Sequence, residues 1–96
     1  MSARVSLTGP VGIIANTTKS EAVEALAVVT ELLARYSFEL LFDAAPAQAI
    51  DATDRAVPAR ELAQHVGWLI GIGGDGTILE AARRAAHDSL PLLGVN

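Results

Sequence analysis

Apolar and polar positions fall into blocks along this chain, and the blocks change period. Val11 to Ala15 (VGIIA) is a short unbroken apolar run, the pattern of a strand buried on both faces. A polar break, Asn16-Thr17-Thr18-Lys19, follows. Beyond it Ala22, Leu26, Val29, Leu33 and Tyr36 recur at helical spacing, with Glu21, Glu24, Glu31 and Arg35 largely off that stripe. Thr18 and Glu21 have capping-box spacing, so the pattern predicts a helix from about Thr18 to Tyr36. Phe38 to Phe42 (FELLF) reads as a second strand. Asp43 to Pro58 is alanine-rich without a clear period and reads mainly as loop, with room for a helical turn. Pro58 to His65 suits a short helix, with proline near its start. Val66 to Ile72 (VGWLIGI) is a third strand. Thr77 to His87 is helical, with Ile78, Ala81, Ala82 and Ala85 on one side, and Pro91 to Val95 (PLLGV) is a fourth strand.

Strands alternating with helices imply an α/β fold: an open, mainly parallel, Rossmann-like sheet flanked by helices, with right-handed crossovers. The expected organisation is a loose leader over residues 1–10 and one α/β domain over residues 11–96. Ligands of such sheets bind beyond the carboxyl ends of the strands. Asn96 directly follows a core strand, so the chain is expected to be a fragment, or half of a two-part site.

Composition narrows the partners. With 96 residues, a single small domain is expected, and 51% hydrophobic against 19% charged residues argues against disorder. The net charge of -4 and the lack of clustered Lys and Arg argue against nucleic acid, which demands a basic footprint. No cysteine is present, and His65 and His87 stand apart, so no metal-ligand pattern is read. No stretch approaches the ~18 consecutive apolar residues of a membrane span, and no signal peptide is read. A soluble cytoplasmic protein without a membrane partner is the expectation.

The candidate chemistry lies in residues 71–84, GIGGDGTILEAARR. Gly73, Gly74 and Gly76 flank one carboxylate, Asp75, between a strand and a helix. Glycines there let backbone approach a ligand closely, and the helix start suits an anion such as phosphate. Asp75 can accept a proton from a substrate hydroxyl, hold a divalent cation, or merely cap the helix. The loop is neither G-x-x-x-x-G-K-[ST] nor a full G-x-G-x-x-G.

Gly73-Gly74-Asp75-Gly76-Thr77 is similar to the GGDGT signature of NAD kinases, of diacylglycerol and sphingosine lipid kinases, and of some phosphofructokinases. The continuation ILEAARRAA, then PLLGVN, resembles NAD kinases, as does the opening VGIIANTTK. Lipid kinases typically continue with Glu-x-x-Asn, and position 84 here is Arg. The resemblance runs from Val11 to Asn96, most specifically from Leu69 onward. It implies phosphoryl transfer from ATP, or polyphosphate, to the 2′-hydroxyl of the adenosine ribose of NAD, making NADP. Asp75 would be the base and Gly76 would line the NAD site. Gly73, Gly74 and Thr77 would shape the loop and meet phosphates, with Mg²⁺ or another divalent cation. The family's Asn-Glu/Asp motif and β-rich second domain, which complete the pocket and build a homo-oligomer, are absent from these residues, so the chain alone is expected to be inactive. Glu80 departs from the basic residue that many relatives carry there. The alternatives are a lipid or sugar kinase of the same superfamily, or a non-catalytic nucleotide-binding module.

Around the loop, Asn16 at the end of the first strand is expected to face the cleft, and Asn96 at the end of the fourth to border it or only to cap the turn. Lys19 is weighed as a phosphate contact against a solvated helix start. Asp43, after the second strand, is weighed as a ribose ligand. Trp68 is expected in the core, His65 and His87 at the surface, and Arg83 and Arg84 on a solvated helix face, one of them able to pair with Glu80.

Overall fold

A computed structural model describes residues 7–58 and 60–96. Four strands form one parallel sheet: β1 (Val11–Ala15), β2 (Leu40–Phe42), β3 (Trp68–Ile72) and β4 (Leu92–Val95), in the order β2-β1-β3-β4. The α/β expectation therefore holds. Three helices connect them: α1 (Ser20–Arg35), the short α2 (Ala44–Ala49) and α3 (Asp75–His87). From β1 the chain turns one way to β2 and then returns to place β3 on the other side of β1. The sheet's switch point is thus the β1/β3 boundary, where open α/β sheets leave a crevice for ligands.

Alternation along the central strands sorts the core into two layers. Val11, Ile13, Trp68, Ile70 and Ile72 face one side, where they pack with Ala22 and Leu26 of α1 and Ala47 of α2. Ile14 and Leu69 face the other side and pack with Ala81 and Ala85 of α3, together with Leu62, Ala63 and Val66. Leu26, Ile13 and Leu69 are fully buried. Trp68 is a core residue, edge-on to Phe38 with ring centroids 5.5 Å apart.

Helix α3 packs against β3 at Gly71, which presents no side chain to it. A Cβ added there would lie 2.9 Å from Ala81 Cβ. The pair Gly71–Ala81 thereby sets the height of α3 above β3.

Several expected boundaries move, each for a local reason. Helix α1 begins at Ser20, not Thr18, and Lys19 precedes it without a side-chain cap. The Thr18 hydroxyl instead donates to Asn16 Oδ1 at 2.6 Å, so the expected capping box does not form. Tyr36, expected on the buried stripe, is 73% exposed. It ends α1 just before Ser37, whose φ of 63° reverses the chain. The Ser37 N–H donates to Ala34 O and the Phe38 N–H to Leu33 O, a Schellman closure that keeps Phe38 out of β2.

Residues 43–58, expected to be mainly loop, hold α2 and a 3-10 turn at Thr53–Arg55. Pro46 falls in the first turn of α2, where its missing N–H costs no bond, and with Ala47 it forms the buried face. The expected helix over 58–65 reduces to a 3-10 turn at Leu62–Gln64. Of the expected leader, residues 1–6 lie outside the described residues. Thr8 to Pro10 runs along Gly67: the Gly67 N–H donates to Pro10 O at 2.8 Å, and a Cβ at position 67 would collide with the Thr8 carbonyl.

Candidate functional site

The carboxyl ends of β1, β3 and β4 converge at the switch point. The Asn16 N–H donates to Ile72 O at 3.0 Å, and the Gly73 N–H donates to Val95 O at 3.0 Å. These two bonds carry the sheet one residue past its strands, so Asn16, Gly73 and Asn96 form one row along the rim. Asn16 accepts from the Thr18 N–H at 3.1 Å as well as from its hydroxyl, an Asx turn that shapes the path from β1 to Lys19.

The loop between β3 and α3 is tight. Gly73 has a φ of 150°, and a Cβ on it would lie 2.9 Å from Thr77 Oγ1 and 3.2 Å from Asn16 Cβ. No side chain fits between Thr77 and Asn16, which explains glycine at this position. Gly74 is the residue before the first helical one, so α3 starts at Asp75 rather than at Thr77 as expected. Asp75 is therefore inside the first turn, with Gly74 in the cap position, and among the described residues its carboxylate accepts from Asn96 and not from a helix N–H; the capping reading is not what the structure shows. The carboxylate is exposed at the positive end of α3, where the helix dipole favours a negative charge. Asn96 Nδ2 donates to Asp75 Oδ1 at 3.5 Å, a long bond linking the end of β4 to the start of α3. Beside it Gly76 is open, with no atom within 4 Å of a Cβ built there. Backbone N–H groups of a first helical turn lack intrahelical partners and can hold an anion.

A cavity of about 170 Å³ opens between this loop and α1, lined by Ile72, Gly73, Gly74, Val95 and Asn96 on one side and by Lys19, Glu21, Ala22 and Ala25 on the other. Lys19 Nζ lies over the loop, 3.7 Å from a Cβ built on Gly74. Asp75 stands just beyond this lining. Small-molecule pockets are typically ~300–1,000 Å³, so the described residues enclose only part of a nucleotide-sized site. Glu21 and Ala25 were not anticipated here. Their signal was their position in the first turns of a helix that starts at the switch point.

Asp43 and Arg84 form a different feature. Arg84 Nη1 donates to Asp43 Oδ2 at 3.3 Å and to Oδ1 at 3.4 Å, while Arg84 Nε donates to Glu80 Oε1 at 3.3 Å. The Arg84 and Asp43 side chains are only 23% and 16% exposed, so Arg84 does not lie on a solvated face as expected. Arg83, 70% exposed beside Glu80, does. Burial pushes the Asp43 carboxyl above the ordinary value of 3.8 more strongly than the Arg84 guanidinium pulls it down. The pair ties α3 to the end of β2. His65 and His87 are exposed, as expected. Among the described residues no cluster of acidic, histidine or cysteine side chains forms a metal cage, and no helix is long and apolar enough to cross a membrane.

Comparison with known proteins agrees in one direction. The family model described as the ATP-NAD kinase N-terminal domain matches residues 11–96. The NAD kinase of Koribacter versatilis (strain Ellin345) is 33% identical over 86 residues, covering 90% of this chain and 30% of that protein. The NAD kinase of Desulforamulus reducens is 28% identical over 86 residues with the same coverage of 90% and 30%. The NAD kinase of Nitratidesulfovibrio vulgaris (strain DP4) is 45% identical over 47 residues, which is 49% of this chain and 16% of that protein. The chain thus spans about 30% of the length of the first two of these curated relatives. No solved structure matches.

Proposed function

The chain belongs to the NAD kinase family, and from that premise we propose that it supplies the N-terminal half-site of an enzyme making NADP from NAD. In the reaction, the 2′-hydroxyl oxygen of the adenosine ribose bonds to the terminal phosphorus of ATP or polyphosphate. The bond from that phosphorus to its bridging oxygen breaks, and the leaving phosphate keeps the electron pair. The hydroxyl proton passes to Asp75.

The observation that carries this reading is the placement of Asp75: an exposed carboxylate at the start of α3, among glycines, with Asn96 as a neighbour donor. Phosphoryl transfer asks a protein mainly for positioning and electrostatic stabilisation. Gly73, Gly74, Gly76 and Thr77 give phosphates and ribose close access to backbone, with Asn16 holding the turn opposite. A divalent cation such as Mg²⁺ fits as a passenger of the donor phosphates, neutralising their charge, since magnesium usually binds through few carboxylates plus phosphate oxygens.

The rest of the pocket, the β-rich second domain and the homo-oligomer belong to the complete protein in this reading, acting in the cytoplasm. In this reading the 96 residues by themselves are inactive, because they hold only one side of the pocket. The test is Asp75→Asn in the complete protein. NADP formation should fall by at least about a hundredfold, the scale of a general base, with NAD affinity retained. Near-normal turnover would remove Asp75 as the base.

A further inference from the structure

The cavity beside the glycine loop has an uneven charge distribution. Of its lining residues only Lys19 is cationic, Glu21 is anionic, and the Asp75 carboxylate stands just outside. The chain as a whole carries -4. A phosphoryl donor entering this space would meet two exposed carboxylates and a net negative protein, both of which repel its phosphates. Something must offset it at the point of entry.

We infer that Lys19 is the phosphate-gripping cation of the donor side, closing the transferred and leaving phosphates against the Gly73–Gly74 loop. This rests on the kinase reading of the site. Three observations carry it. Lys19 Nζ is poised over Gly74, where no side chain intervenes between the ammonium and the loop backbone. Among the described residues Lys19 forms no ion pair, so its charge is not already spent. Its backbone is held by structure: Lys19 O accepts from the Ala22 N–H at 3.1 Å and the Val23 N–H at 3.2 Å, which fixes where the flexible stem begins. An oxyanion between Lys19 Nζ and the start of α3 is held from one side by a point charge and from the other by backbone N–H groups. Asp75 then stays on the opposite side for the acceptor hydroxyl. The cleft is divided, with donor phosphates on the α1 side and ribose on the Asn96 side.

The experiment uses the complete protein with Lys19→Met and Lys19→Arg. Lys19 is exposed, so both should melt like the native protein. Binding of ATP, of inorganic tripolyphosphate and of NAD is measured by calorimetry, alongside steady-state kinetics in both substrates. Lys19→Met should weaken ATP and tripolyphosphate about ten- to a hundredfold, the range for a charge-assisted contact. NAD affinity should stay within about twofold, and Lys19→Arg should recover most of the loss. Unchanged donor affinity in Lys19→Met overturns the inference, and so does a loss confined to NAD. If the native protein makes no NADP, the kinase reading fails by itself. Tripolyphosphate binding still judges Lys19: weaker in the Met variant supports it, while equal or absent binding overturns it.

Discussion

Gly71→Ala tests whether the height of α3 above the sheet controls both stability and the placement of Asp75. The added methyl would stand 2.9 Å from Ala81 Cβ, whereas carbon atoms pack at about 3.5–4.0 Å. The other near atoms, Ile78 Cα at 3.7 Å and Thr77 O at 4.0 Å, need not move. Ala81 has no rotamer to change, so relief requires α3 itself to withdraw by roughly 0.6–1 Å at that contact. Overpacking of this kind costs about 1–3 kcal/mol. Because Asp75 begins the same helix, the shift is passed to the loop, and a misplacement near 1 Å can cost about a hundredfold in turnover.

A double-mutant cycle with Ala81→Gly isolates the contact. Ala81→Gly alone should cost about 1 kcal/mol of helix propensity, with some lost packing. In Gly71→Ala/Ala81→Gly the clash is gone, so the two changes should be less harmful together than their separate costs imply. The expected coupling is at least about 1 kcal/mol, read from urea unfolding of the complete protein, with turnover recovering in parallel. Additivity within about 0.5 kcal/mol would refute the argument that this contact sets the helix height. So would full turnover in Gly71→Ala despite lost stability, which would show that the loop does not follow the helix.

Two further outcomes are expected. All three helices end on a non-glycine residue at positive φ, Ser37 at 63°, Asp51 at 57° and Ser89 at 55°. Ser37→Gly should therefore raise stability by about 0.5–1 kcal/mol, because it relieves a left-handed serine by more than it loosens the unfolded chain; a lowered thermal midpoint would refute this. For Asp43 the folded-state pKa lies above 3.8, so the folded protein holds this proton more tightly than the unfolded chain. Its stabilising contribution is then complete below 3.8 and is lost as pH rises through the raised value. Measured against Asp43→Asn, the native protein should gain relative stability on acidification from neutrality through that window. A relative loss would mean that the Arg84 ion pair outweighs burial.

The parts legible in the sequence were those with a strong period or a special residue. VGIIA and VGWLIGI announced central strands because a strand covered on both faces has no polar side, and the loop announced itself by three glycines around a carboxylate. The start of α1 was misplaced because Thr18 has two uses for one hydroxyl, and an Asx turn with Asn16 won over the cap. Helix α2 reads from sequence as no more than a helical turn within loop, because six residues are too few to show a period and its buried face consists of Pro46 and Ala47. The Asp43–Arg84 pair joins residues 41 apart, a contact created by topology, for which neither residue's neighbours give a sign.

That same topology separates two requirements of the site. Orientation is supplied within these residues: β3 meets Asn16 and Val95 by backbone bonds at 3.0 Å, Gly71 seats α3, and Asn96 reaches Asp75. The described residues do not supply enclosure, since the cavity of about 170 Å³ is smaller than a nucleotide needs and Asp75 stands exposed beside it. Electrostatic stabilisation of phosphoryl transfer depends on excluding water as well as on aiming groups. A half-site built this way can point its carboxylate correctly and still leave water around the reacting phosphate. The partition explains why the stability of α3 and the catalytic role proposed for Asp75 should be separable by experiment. In the proposed reading, changes at Gly71 act on both, Asp75→Asn acts mainly on chemistry, with a smaller loss at the start of α3, and Lys19→Met acts on the donor's grip.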